Sequence, residues 1–76
     1  MGKYKWRTPY LGGNETVTWP LIGSAYEDGG EFFWDVTDVS LEYPIEVAAG
    51  QKSSLEECKA ACERVMTAIL EDKAQQ

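Results

Sequence analysis

The run Glu31-Phe32-Phe33-Trp34-Asp35-Val36-Thr37, followed by Leu41-Glu42-Tyr43-Pro44-Ile45-Glu46-Val47, decides how this chain folds. Both stretches alternate, the period-two signature of strands with one dry face and one wet face. In the first, Phe32, Trp34 and Val36 share one side, while Glu31, Phe33 and Asp35 share the other. In the second, Leu41, Tyr43, Ile45 and Val47 oppose Glu42, Pro44 and Glu46. A hairpin over about residues 31 to 48 is expected, turning at Asp38-Val39-Ser40. Pro44 has no ladder donor, so the second strand is expected to be an edge or to be interrupted there. Gly50 is expected to end it and turn the chain into the next element.

That element is a helix. Ser53-Ser54-Leu55-Glu56-Glu57 holds two overlapping capping boxes, Ser53 with Glu56 and Ser54 with Glu57, in which the serine oxygen accepts a free N–H and the glutamate reaches back. Leu55, Cys58, Cys62, Val65, Met66 and Ile69 then recur at spacings of three and four, drawing one apolar stripe along a helix expected over about residues 54 to 72, with 73 to 76 as a frayed tail. Upstream, Lys3 to Arg7 alternates as a strand would, and Thr16-Val17-Thr18-Trp19 has β propensity until Pro20. Gly12-Gly13-Asn14 and Asp28-Gly29-Gly30 are turn signals, and Leu21 to Tyr26 between them fits a short strand or a loop. The expectation is a single α+β domain over residues 1 to 76, a small antiparallel sheet of three or four strands packed by one C-terminal amphipathic helix.

Composition agrees with a folded domain, since 43% of the 76 residues are hydrophobic and 26% charged. A chain of this length buries only about 60 to 65% of its unfolded surface, so the core has to be compact. No apolar run approaches the roughly 18 residues of a membrane span, and no apolar stretch follows the charges of Lys3, Lys5 and Arg7, so a cytoplasmic location is expected.

Catalytic chemistry is not expected. The chain has no histidine, and its glycine pairs lack the spacing of phosphate-binding loops. Cys58 and Cys62, four apart on one helix face, read as reduced core residues; two thiolates fall short of the four ligands of a structural zinc. No metal and no cofactor is expected.

Charge and aromatic rings carry the functional reading. The net charge of −6 is concentrated in residues 31 to 50, where Glu31, Asp35, Asp38, Glu42 and Glu46 occur with no Lys or Arg. Nine aromatic residues exceed what one helix and a small sheet enclose, so some rings should be exposed. Alternation selects Phe33, which it places with Glu31, Asp35, Glu42 and Glu46 and apart from Phe32 and Trp34. An aromatic anchor in an acidic rim, with Asp38 at the turn, is the composition of a protein-binding patch for a partner with a basic surface. A homodimer contact through the sheet is the structural alternative. Lys3, Lys5, Trp6 and Arg7 form a third candidate, a short single-strand nucleic-acid site in which bases stack on rings and cations meet phosphates. Three cations in a chain of net −6 would hold nucleic acid weakly.

The passage from hairpin through Gly50 to Ser53-Ser54-Leu55-Glu56-Glu57-Cys58-Lys59-Ala60-Ala61 resembles a pattern of small phage and prophage proteins, a sheet hairpin with a capped helix behind it. The likeness covers about residues 31 to 70. It implies no activity by itself; among what such small proteins do, blocking a host defence protein, as anti-CRISPR proteins do, would suit an acidic compact module, and a structural, self-associating phage component is the second expectation. The hairpin-to-helix passage is also similar to that of HicB-type antitoxins, but the DNA-binding tail of that family has no counterpart in this chain.

Overall fold

The computed structural model describes residues 4 to 8 and 12 to 74. They form a four-stranded antiparallel sheet with one helix packed on it, an α+β fold. In chain order the elements are β1 (Asn14–Thr18), β2 (Leu21–Asp28), β3 (Glu31–Asp38), β4 (Ile45–Lys52) and α1 (Leu55–Ala74), and the strands lie side by side in that same order.

The turns follow from their residues. Asp28 pairs with Glu31, and the two residues between them, Gly29 and Gly30, have φ of +63° and +84°. Positive φ at both positions is the type I′ hairpin, which only glycine and a few short polar residues adopt without strain. Trp19 and cis Pro20 link β1 to β2, with Thr18 opposite Leu21. After β3 the chain turns on Asp38, whose Oδ1 accepts from Ser40 N at 2.8 Å and from Ser40 Oγ at 2.6 Å. This side-chain turn is what a short acid at the end of a strand favours. The Val39 N–H donates to Pro20 O at 2.9 Å, so the β1–β2 turn and the loop after β3 lie together at one end of the sheet.

The second strand of the expected hairpin lies further along the chain than alternation suggested. Leu41 and Tyr43 belong to a loop and are 65% and 72% exposed, rather than facing the helix. Pro44 explains the shift: it has no N–H to give, and pairing begins at the next residue, Ile45 opposite Asp38. Val47 falls at an irregularity where Val36 pairs with Ala48 and Thr37 with Glu46. Gly50 does not end the strand; it pairs with Trp34, and pairing continues through Gln51 and Lys52. A Cβ at position 50 would meet Trp34 Nε1 at 2.7 Å and two further indole carbons at 2.9 Å. Glycine there lets the indole lie flat against the strand. The arrangement buries Trp34 Nε1 without a hydrogen-bond partner among the described residues, a cost of about 1–3 kcal/mol that the apolar contacts of the ring have to exceed.

One face of the sheet is dry. Leu21, Ala25, Trp34 and Val36 meet Cys58, Ala61, Cys62 and Met66 of the helix, with Phe32, Ala48, Leu55, Val65, Ile69 and Leu70 around them. The helix begins as the cap predicts: the Glu57 N–H donates to Ser54 Oγ at 3.1 Å, and the Glu57 carboxylate accepts from Ser53 N at 3.2 Å and from the Ser53 hydroxyl. Ser54 thus caps the Glu57 N–H, which is one half of the box, while the Glu57 carboxylate reaches back one residue further, to Ser53 rather than to Ser54. Before β1, the extended segment 4 to 8 puts Tyr4 into the core, its hydroxyl 2.7 Å from Thr67 Oγ1.

The helix packs tightly against β2 at Gly23. A Cβ there would lie 2.7 Å from Met66 Sδ and 3.3 Å from Thr16 Cγ2, and would run into Cys62 Sγ. Gly23→Ala is therefore expected to destabilise the protein by about 1–3 kcal/mol, the usual range for overpacking a core. Urea unfolding checks this, and a neutral effect would show that the helix sits further from β2 than described.

Candidate functional site

Among the described residues no helix lies on the other face of the sheet. Its side chains come from even positions of β2 and odd positions of β3, and at its centre two cross-strand pairs are adjacent: Tyr26 with Phe33, and Ser24 with Asp35. The Tyr26 and Phe33 rings stack at 5.7 Å between centroids with 27° between planes. Stacking leaves Phe33 half-buried and Tyr26 38% exposed, one apolar surface made by two residues.

Asp35 lies beside this stack, partly buried. Desolvation raises its pKa above the ordinary carboxylate value and the nearby Glu46 charge raises it further, while a hydrogen bond with Ser24 pulls the other way. Tyr26 is shifted in the same sense, first by desolvation and then by the negative fields of Asp35, Glu46 and Asp28. Two hollows meet at these two residues. One, of about 350 Å³, opens toward β1 and is bordered by Glu15 and Glu27. The other, of about 330 Å³, opens toward β4 over Phe33, Ala49 and Gln51 and is bordered by Glu46. Both hollows are acidic on one side and aromatic on another.

Of the residues singled out in the sequence, Glu31, Phe33, Asp35 and Glu46 share this face. Gln51 Nε2 donates to Glu31 Oε1 at 2.8 Å across the β3–β4 pair. Asp38 does not join them, because its carboxylate is taken by the turn at Ser40. Glu42 is exposed in the loop beyond the sheet rather than on the face, since its strand starts only after Pro44. Tyr26, Ser24 and Glu15 were missed. Extending the alternation of Ile22, Ser24 and Tyr26 would have found the first two, but the intervening glycine and alanine obscure the strand.

The basic candidate is largely engaged within the chain. Trp6 Nε1 donates to Glu63 Oε2 at 2.6 Å, and Lys59 Nζ sits 5.7 Å over the Trp6 ring. Arg7 donates to Glu15 Oε1 from Nε at 3.1 Å and from Nη2 at 2.8 Å. Lys5 is exposed, and Lys3 lies outside the described residues.

Behind the acid–aromatic face, Cys62 Sγ points at the Asp35 carbonyl at 3.5 Å. Burial, then the Asp35 charge, push its pKa up to about 12. Such a thiol is no nucleophile at neutral pH. Among the described residues no three His, Cys, Asp or Glu gather to hold a metal ion, and no helix is long and apolar enough to cross a membrane. No family model, curated protein or solved structure matches the chain.

Two outcomes are expected. Cys62 should stay unreactive toward a thiol reagent at pH 8 in the folded protein and react once it is unfolded; prompt labelling in the native state would contradict its burial. Asp35 binds a proton more tightly folded than unfolded, so its ionisation weakens folding as pH rises through the carboxylate range. Asp35→Asn should then be more stable than the wild type at pH 7, with the difference closing as pH falls below that range. Urea midpoints of both proteins across pH 3 to 7 measure it.

Proposed function

We propose that this chain is a non-enzymatic protein-binding module whose outer sheet face takes a basic segment of a host protein. The observation that carries the reading is Asp35, a partly desolvated carboxylate beside Glu46 and the Tyr26–Phe33 stack. A carboxylate partly withdrawn from water, with a second negative charge nearby, carries a standing cost. A lysine or arginine from a partner removes that cost while its stem lies along the rings, so charge and apolar contact favour the same ligand. Arg7, a cation at the β1 edge, is already held by Glu15.

A phage accessory protein acting in the host cytoplasm, and inhibition of a defence protein as its task, rest on the likeness of the hairpin-to-helix passage. The acid–aromatic face is compatible with them because proteins that handle nucleic acid carry basic surfaces.

The test uses ¹⁵N-labelled protein titrated with a short arginine- and lysine-rich peptide. Amide shifts should concentrate at Tyr26, Phe33, Asp35, Ala49 and Gln51 and weaken with salt. Phe33→Ala/Asp35→Lys should lower the affinity at least about tenfold, as loss of an anchor and a charge partner does. The same variant should fail to capture the host protein that the wild type captures from lysate. Equal peptide binding by both proteins would remove this face from consideration.

A further inference from the structure

The two hollows on the outer face differ in what neutralises them. Beside the β1-side hollow, Glu15 Oε1 already accepts from Arg7 Nε at 3.1 Å and from Arg7 Nη2 at 2.8 Å, so the chain supplies its own guanidinium there. The strands under the β4-side hollow supply none. Residues 31 to 51 contain no Lys or Arg, and Lys52 pairs with Phe32, which packs toward the helix.

Register gives the β4-side hollow its shape. Glu46 lies opposite Thr37, Ala49 opposite Asp35 and Gln51 opposite Phe33, so a methyl group separates two long polar side chains along β4. That small residue opens the hollow of about 330 Å³ next to Asp35. Acceptors border it from two strands, with the Asp35 carboxylate on β3 and the Glu46 carboxylate on β4. Gln51 adds a neutral one: its Nε2 donates to Glu31, a carboxylate that can only accept, and this leaves the Gln51 carbonyl oxygen to offer a ligand. The Tyr26–Phe33 stack contributes a flat aromatic wall.

We propose that this hollow seats one arginine side chain of a partner protein, its guanidinium donating to Asp35, Glu46 and Gln51 with the Tyr26–Phe33 stack against its plane. The inference rests on the outer face being the binding face and names the group that face takes. Arginine rather than lysine follows from the spread of the acceptors. Thr37 and Phe33, the partners of Glu46 and Gln51, stand about 13 Å apart along β3 by strand rise. A guanidinium carries five N–H donors in one plane and stacks on rings, so it can meet acceptors on two strands and the aromatic wall together. An ammonium is a compact, strongly hydrated charge that serves one end of the hollow and leaves the other to water.

Short glycine–serine peptides with one central arginine, lysine or citrulline, titrated into the ¹⁵N-labelled full chain at low salt, test this. The arginine peptide should bind at least about fivefold more tightly than the lysine peptide, as planar two-sided hydrogen bonding does. Citrulline, which keeps the shape without the charge, should lose binding. Amide shifts should centre on Asp35, Glu46, Ala49 and Gln51 rather than on Asn14 and Glu15. Gln51→Ala should bring arginine down to the affinity of lysine and leave lysine unchanged, and Glu46→Gln should weaken both. Glu27→Gln, the same charge change beside the other hollow, should alter either affinity less than about twofold. Gln51 and Glu46 are exposed, so these variants keep the fold. Equal affinity for arginine and lysine, or shifts centred on Asn14 and Glu15, would overturn the arginine seat and leave the basic-segment reading standing. Binding of neither peptide to the outer face would overturn both.

Discussion

A single helix covers one face of this sheet and leaves the other to water, and the rest of the structure follows from how closely that helix is seated. Gly23 sets the distance. With no Cβ on the central strand at that point, the sulfur atoms of Cys62 and Met66 fill the space a side chain would take. Small residues at Cys58, Ala61 and Cys62 complete the approach, and larger ones are kept for the flanks at Val65, Ile69 and Leu70. A second glycine, Gly50, plays the matching part within the sheet by giving the Trp34 ring a flat floor. Moving β4 by one residue would place Ala49 or Gln51 under that ring, so the two glycines fix both the layer spacing and the register.

The uncovered face owes its character to that register. Because Trp34 is turned inward, Phe33 and Asp35 are turned outward, and Phe33 finds Tyr26 across the β2–β3 pair. The irregularity at Val47 then brings Glu46 opposite Thr37, on the same side as Asp35. Folding thus partly withdraws Asp35 from water within the field of Glu46, and both effects raise its pKa.

Local patterns made some of this legible in advance. The start of α1 was readable because capping is a matter of three or four neighbouring residues: Ser54 caps the Glu57 N–H as the motif prescribes, while the Glu57 carboxylate turns to Ser53. The faces of β3 were readable because its apolar side is continuous from Phe32 to Val36. β2 was not, since Gly23, Ser24 and Ala25 carry little strand propensity; they are there to admit the helix, a tertiary demand that no window of sequence displays. The apparent alternation of Leu41 to Val47 misplaced the fourth strand for a related reason. Its pattern was as regular as that of β3, but Pro44 and the fit of Trp34 on Gly50 decided the pairing. Glu42 left the face with that error and Tyr26 was overlooked with β2, so the centre of the site was legible and its borders were not.

The most direct check of the open acid–aromatic face is the titration of the Asp35 side-chain carboxyl, followed by carbon-detected NMR. The account predicts a pKa above the ordinary carboxylate value, falling when a guanidinium-bearing ligand is added. A value at or below the ordinary one in the free protein would mean that Asp35 is well solvated or already neutralised within the chain, and the reason for assigning a partner to this face would be gone.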